Sequence, residues 1–161
     1  MDTEALVRLL VAVGLAACVG AEREAAGHPA GLRTHVTVSL GAALYGVITT
    51  LGFGDFSPIA GSRSEAARAI TQVAVGVGFL GAGVIIQQGE RVRGLTTAAS
   101  IWVVAAIGLA AGVGSIQPAI MTTALLLLTL LVLRYPSAWL HGRFHPKPGK
   151  ADEKPRSPDP D

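Results

Sequence analysis

The chain has 161 residues, half of them hydrophobic and 15% charged, with one cysteine and a formal net charge of +2. A single cysteine excludes an internal disulfide, and the basic residues form no face with interleaved aromatics of the kind that binds nucleic acid. Five apolar stretches fill residues 5–133, which indicates a protein that is dissolved in a lipid bilayer.

Three of these stretches have about the length that a hydrocarbon core of roughly 30 Å requires of a helix, the first is a candidate span although it contains Arg8, and the last is slightly short. In chain order the stretches are 5–21, 36–54, 69–86, 95–116 and 118–133. They lack the charged faces of a soluble bundle and the alternating pattern of a transmembrane barrel. The sequence therefore predicts an all-α, polytopic transmembrane helical bundle of about five spans.

Lysine and arginine are distributed unevenly between the two sides that five spans create. One side carries the loops after the first and third spans and the basic tail, whereas the other begins with the acidic residues Asp2 and Glu4. Cytoplasmic loops near helix ends retain positive charge. We therefore expect a multi-pass membrane protein with its N-terminus outside and its C-terminus in the cytoplasm.

The two ends of the chain differ from the spans in composition. Residues 141–161 are dominated by proline, glycine and charge and cannot bury a core. We predict a membrane domain over residues 1–140, followed by a disordered cytoplasmic tail. Near the other end, the small residues before Cys18 have the form of a lipoprotein cleavage site, but the positive segment that starts a signal peptide is missing. Cys18 is therefore interpreted as a small packing residue.

Small residues recur at four-residue spacing within the spans. In chain order these stripes are Ala16 with Gly20, Ala42 with Gly46, Ala74 with Gly78 and Ala82, and Gly108 with Gly112. Small side chains let transmembrane helices approach closely. We predict that the stripes pack helix against helix, and a contact between copies of the chain through one unused stripe is left open.

Polar residues cluster where the first, second and fourth spans meet the side that we expect to be cytoplasmic. This polar layer consists of Glu22, Arg23, Glu24, Arg33, Arg91, Arg93, Thr96 and Thr97. Charges at membrane depth are costly unless they are paired or hydrated, so these residues are candidates for function. In the alternative interpretation, the arginines only fix the topology, the acids neutralise them, and the threonines cap a helix.

On the opposite side, Asp55 lies in a loop of turn-forming residues, and Arg68 and Gln72 stand one turn apart at the start of the third span. Gln72 is interpreted as a residue that bonds one helix to another. The histidines are isolated in the sequence, so we predict no metal site and no cofactor. No nucleophile and base are placed for catalysis, so we predict no enzyme.

Four motifs follow one another between about residues 5 and 115. They are GAERE from Gly20, AGLRTH from Ala30, GVGFLGAGV from Gly76 and VRGLTTAASIW from Val92. Together they resemble the MgtC/SapB family of bacterial inner-membrane proteins. The resemblance implies a membrane domain of about five helices, often followed by a soluble ACT-like domain, and we expect the membrane domain alone here. Relatives tend to carry an Asp-Pro pair where this chain has Ala66-Ala67, which puts any role of that acid in doubt.

The resemblance also implies a link to growth in low magnesium, to survival in host phagocytes and to restraint of the ATP synthase. We favour a regulator that engages another membrane complex, such as ATP synthase or a transporter. The alternative is a transporter or channel for magnesium, another cation or protons, with Glu22, Glu24 and Arg33 at its inner mouth. Magnesium is held mainly by carboxylates, and the spans offer no series of acids that would lead it across.

Overall fold

A computed structural model describes residues 3–51, 63–88 and 91–133 of the chain. Within these ranges the fold consists of five helices and one short hairpin. In chain order the elements are α1 (Thr3–Ala25), α2 (Leu32–Leu51), α3 (Arg63–Val84), β1 (Ile86–Gln88), β2 (Arg91–Arg93), α4 (Leu95–Gly112) and α5 (Ile116–Val132). The predicted all-α class with five helices is confirmed.

Three of the described helices, α1, α2 and α4, are long and apolar enough to cross a membrane. The apolar parts of the other two are shorter, Ile70–Val84 within α3 and Ile116–Val132 in α5. The third predicted span, residues 69–86, therefore has less apolar helix than its hydropathy indicated, whereas the fifth has the short length that the sequence predicted. Some of that difference arises because the chain leaves the helix after Val84 and enters a strand.

Helix boundaries differ from the predicted spans where local groups stop or extend a helix. α1 continues past residue 21 and includes the charged Glu22, Arg23 and Glu24. α4 ends at Gly112 because Gly114 adopts a φ of 88°, a left-handed conformation that favours glycine. The Gly114 N–H donates to the Ala111 carbonyl and the Ser115 N–H to the Ala110 carbonyl, which is the Schellman pattern of a helix end.

The basic loop predicted after the third span contains the hairpin. β1 and β2 are antiparallel, with Ile86 opposite Arg93 and Gln88 opposite Arg91. Gly94 follows with a φ of 89° and lies against the backbone of Val84. The hairpin thus returns the chain from the end of α3 directly to the start of α4.

The packed centre of the bundle consists of α1, α2 and α4. α2 makes its most extensive contacts with α4 and then with α1, and α3 packs mainly on α4. α5 packs on no other described helix to a comparable extent. Alanine and β-branched side chains such as Ala16, Val47 and Val104 fill the space between the three central helices.

Glycines set the distances at which the central helices cross. A Cβ added at Gly20 of α1 would lie 2.7 Å from the Leu32 Cα, and one added at Gly46 of α2 would lie 2.8 Å from the Val113 nitrogen. Both distances are too short for a real Cβ atom, so backbone occupies the space that a side chain would need. The backbones at these two contacts therefore approach as closely as glycine allows. Such close packing of helices is favoured by dispersion forces in a bilayer.

The chain divides into two units, Met1–Leu128 and Thr129–Asp161. Of the second unit the structure describes residues 129–133, namely the end of α5 and one following residue. The predicted domain boundary at residue 140 and the predicted tail lie outside the described residues.

Candidate functional site

A buried ion pair lies near the C-terminal end of α1. The Arg23 side chain is 3% exposed and that of its neighbour Glu22 is 11% exposed. Arg23 donates from Nε and Nη2 to the two carboxylate oxygens of Glu22, with 2.8 Å between Nη2 and Oε1. Two parallel charge-assisted hydrogen bonds make a strong ion pair. The attraction between the two groups offsets the desolvation cost that either charge would have if it were buried alone.

Glu24 binds the start of α2. Its Oε2 accepts a hydrogen bond from the Leu32 N–H at 2.9 Å, so the carboxylate caps a helix N-terminus, where backbone N–H groups lack partners and negative charge is favoured. A Cβ added at Gly31 would lie 2.7 Å from the same oxygen. The glycine of the AGLRTH motif therefore leaves room for the Glu24 carboxylate.

His35 of α2 is fully buried and joins α2 to α4. Its Nδ1 lies 2.8 Å from the Gly31 carbonyl oxygen, and its Nε2 lies 3.0 Å from Ser100 Oγ on α4. Ser100 Oγ also lies 2.8 Å from the Thr97 carbonyl oxygen, to which it donates. On the α1 side, Gly20 leaves room for the ring, because a Cβ there would be 3.2 Å from the His35 Cβ.

The predicted polar layer is therefore divided between buried and exposed groups. Arg33, Arg93 and Thr96 are exposed, whereas Thr97 is 2% exposed and lies beside the histidine contact. The Arg91 side chain lies outside the described residues. What the structure brings together is the Glu22–Arg23 pair and His35, which are close enough for both charges to act on the imidazole.

Sequence reasoning treated His35 as isolated, and the structure places it at the centre of this cluster. Its partner Ser100 is 65 residues away in the sequence. One signal was available: Gly31 and His35 are one helical turn apart in one motif, and Thr97 and Ser100 are one turn apart in another. Polar side chains within transmembrane helices commonly bond to a neighbouring helix, but the sequence does not say which one.

Arg8 occupies the other end of the central helices. Its Nη1 donates to Thr50 Oγ1 at 2.8 Å and to the Gly112 carbonyl oxygen at 2.9 Å, and its Nη2 pairs with Glu4. The Arg8 side chain is 12% exposed, whereas that of Glu4 is 64% exposed. A single guanidinium thus ties α1 to the last turns of α2 and α4. It meets α4 where helix carbonyls lack partners and positive charge is favoured.

A shallow cavity of about 350 Å³ opens beside this guanidinium. It is lined by Thr3, Glu4, Val7, Arg8, Gly114 and Ile116. The predicted site residue Asp55 lies outside the described residues. Arg8 lies inside the first predicted span, residues 5–21, and a lone arginine at membrane depth is itself a signal of function or of structural pairing.

A second, more apolar groove of about 420 Å³ lies between α2 and α3. Gln72 lines it together with Tyr45, Gly41 and Gly76. Gln72 and Arg68 are both exposed in the part of the chain that the structure describes. The interpretation of Gln72 as a residue that bonds one helix to another stays a prediction.

The small-residue stripes occupy two kinds of surface. Gly108 lies against the backbone of Ser39, and Gly112 lies against that of Ala43, both at the α2–α4 crossing. By contrast, no described heavy atom lies within 4 Å of a Cβ added at Gly78. α3 faces α4 through other residues, such as Gly81, whose added Cβ would be 3.6 Å from the Ala98 Cβ. Within the described residues, Gly78 and the exposed Ala82 are thus left on an open face of α3, whereas Ala74 is partly buried.

The chemistry available in this part of the chain is that of ion pairs and hydrogen bonds. Among the described residues, no group of three or more His, Cys, Asp or Glu side chains is close enough to hold a metal ion. Every buried side-chain nitrogen and oxygen atom among them has a hydrogen-bond partner. The arrangement can hold the central helices together through these bonds.

Comparisons with known proteins identify the family. The profile of the MgtC family matches residues 9–139. The Escherichia coli K12 protein named "Putative magnesium transporter YhiD" is 40% identical over 132 residues, which cover 82% of this chain and 61% of that protein. "Protein SrpB" of Synechococcus elongatus is 42% identical over 131 residues, covering 76% of this chain and 71% of the relative. "Protein MgtC" of Salmonella typhimurium is 39% identical over 129 residues, covering 80% and 52%.

The chain thus spans about three-fifths of the length of the YhiD relative and about half of that of MgtC. No solved structure matches it. The family match, the relatives and the apolar helices agree on a membrane protein, and the chain belongs to the MgtC family.

Proposed function

We propose that the protein is a membrane regulator that acts by contact with another integral membrane complex, such as ATP synthase or a transporter, and supports adaptation to low magnesium or acid stress. One contrast between helix faces carries this assignment. At the crossings of α1, α2 and α4 the glycines are covered by backbone, whereas Gly76, Gly78 and Gly83 on α3 have no described heavy atom within 4 Å of an added Cβ.

The open face of α3 has the chemistry of a helix-packing surface. Val75 is 65% exposed and Phe79 is 81% exposed, and they alternate with the glycines. Large apolar groups beside small ones give a ridged surface on which a transmembrane helix can pack closely. The polar groups of the bundle, by contrast, are occupied: Glu22 by Arg23 and Glu24 by the start of α2.

A matched pair of glycine variants tests the assignment. Gly78→Leu fills the open face of α3, and Gly14→Leu adds the same side chain to α1 at a position that also has open space. The tagged full-length protein is purified in mild detergent from cells that need it for growth in limiting magnesium, and co-purifying membrane proteins are identified. Gly78→Leu is expected to lose both the partner and the growth, while Gly14→Leu keeps both. Equal behaviour of the two variants would count against a contact through α3.

A second candidate is a transporter or channel for protons or a cation. It is favoured by the burial of ionisable groups at one end of the central helices, where Arg23 and His35 lie beside Glu22. The name of the YhiD relative points to magnesium. Hydrated magnesium needs free oxygen ligands, and the Glu22 and Glu24 carboxylates are both engaged in bonds within the protein. Protons are therefore the better substrate for this second candidate.

A further inference from the structure

The hydrogen bonds around His35 fix one proton of its ring. Nδ1 lies 2.8 Å from the Gly31 carbonyl oxygen. A carbonyl oxygen can only accept a hydrogen bond, so Nδ1 must donate one. The neutral ring is then confined to the tautomer that carries its proton on Nδ1, and Nε2 has a lone pair.

Ser100 cannot satisfy both of its neighbours while the ring is neutral. Its Oγ lies 2.8 Å from the Thr97 carbonyl oxygen and 3.0 Å from His35 Nε2, yet a hydroxyl has one proton to donate. If that proton goes to Thr97, Nε2 must itself donate to Oγ, and the ring then needs a second proton. The three contacts exist together as full hydrogen bonds only when His35 is an imidazolium.

The charges that face the ring come from α1. Glu22 and Arg23 carry charges of opposite sign. Because these two side chains pair with each other, their fields largely offset. α4 contains no ionisable side chain, nor does α3 between residues 70 and 84, and the nearest charge on α2 itself is the exposed Arg33.

We propose that His35 is a proton-binding site that couples α2 to α4. In the protonated state the chain of bonds runs from Nε2 through Ser100 to the Thr97 carbonyl; on loss of the proton, the Ser100 hydroxyl must leave Thr97 and turn to Nε2. Because Gly20 of α1 packs against the same histidine, the change occurs where all three central helices meet. The site goes beyond the proposed regulatory contact, since it binds its proton whether or not a partner docks on α3.

Ring-nitrogen NMR of His35 tests the proposal without altering the network. The full chain carries His28→Gln, His141→Gln and His145→Gln, so that His35 is the one histidine left, and it is placed in lipid nanodiscs. Between about pH 8 and about pH 5, where histidine charge changes, the spectrum is expected to pass from the tautomer protonated at Nδ1 to the imidazolium. A ring that stays neutral over this whole interval, or one protonated only at Nε2, would overturn the proposal.

A pair of hydroxyl variants tests the role of Ser100. Ser100→Ala removes a hydrogen bond from both protonation states of the ring, and because the bond to the charged ring is about twice as strong as the bond to the neutral one, the ratio of imidazolium to neutral ring is expected to fall about fivefold at a given pH. Thr37→Ala is the matched control, because it removes an exposed hydroxyl of α2 that bonds to the Arg33 carbonyl. Thr37→Ala should leave the ratio unchanged. A Ser100→Ala ratio equal to that of the parent chain would refute the coupling.

Discussion

Gly108 of α4 lies directly against Ser39 of α2: a Cβ added to the glycine would lie 2.6 Å from the Ser39 hydroxyl oxygen and closer still to its carbonyl oxygen. The same serine donates a hydrogen bond to the Ala12 carbonyl oxygen of α1 at 3.2 Å. One small residue thus contacts both neighbours of α2. The centre of the bundle depends on this spacing, because the Gly108 contact is lost if α2 and α4 move apart and the Ser39 hydrogen bond is lost if α2 and α1 move apart.

Gly108→Ala is therefore expected to destabilise the protein. Overpacking of a close contact costs about 1–3 kcal/mol, measured as the free energy of unfolding in mixed detergent. Gly78→Ala is the control, because its added Cβ meets no described atom and alanine is the better helix former by about 0.5–1 kcal/mol. Equal stability of the two variants would show that the α2–α4 crossing does not require glycine.

Arg8→Met is expected to loosen the end of the bundle that Arg8 holds. Methionine fills much of the volume but cannot donate to Thr50 or to the Gly112 carbonyl. Loss of hydrogen bonds from a charged group costs about 1.5–3 kcal/mol, again read from unfolding in detergent. Arg68→Met removes an exposed arginine from α3 and should change the stability little. If both substitutions had the same effect, the three-helix contact of Arg8 would contribute nothing measurable.

The Glu22–Arg23 pair should behave as one unit in a double-mutant cycle. Removing either partner leaves the other charge buried, at a cost of about 3–5 kcal/mol, so Arg23→Met and Glu22→Gln are each expected to destabilise strongly. The double variant should be more stable than the sum of the two costs predicts, because it leaves no unpaired charge. Arg33→Met serves as the exposed control. Additive costs in the cycle would mean that the two side chains are not coupled.

Glu24→Ala should expose the start of α2. The variant removes the acceptor of the Leu32 N–H, and loss of such a cap costs about 0.5–2 kcal/mol of helix stability. Hydrogen–deuterium exchange at the Leu32 amide is expected to accelerate. The His35 amide, which donates to the Gly31 carbonyl in the first turn of α2, is the internal reference. Its exchange rate should change much less than that of Leu32. Unchanged exchange at Leu32 would contradict the capping role.

The sequence predicted the features that depend on local pattern. Apolar length indicated the helices, since the bilayer sets that length. Small residues at four-residue spacing indicated surfaces on which helices pack, and Gly108 does lie at a helix crossing. Spacing alone does not say which helix a small-residue surface contacts. In the sequence Gly78 is therefore indistinguishable from Gly108, although among the described residues no atom covers Gly78. His35 could not be placed, because its contact with Ser100 depends on how α2 and α4 align.

Ion flux in proteoliposomes tests the regulatory account most directly. Liposomes that contain the full chain and dyes sensitive to magnesium and to pH are compared with empty liposomes, and Glu22→Gln is compared with Glu4→Gln, which changes an exposed carboxylate at the other end of α1. If the protein is a regulator that acts by contact, the parent chain, Glu22→Gln and Glu4→Gln should all give no ion flux above that of the empty liposomes. Magnesium or proton flux above the empty liposomes with the parent chain would contradict the account and would favour the transporter.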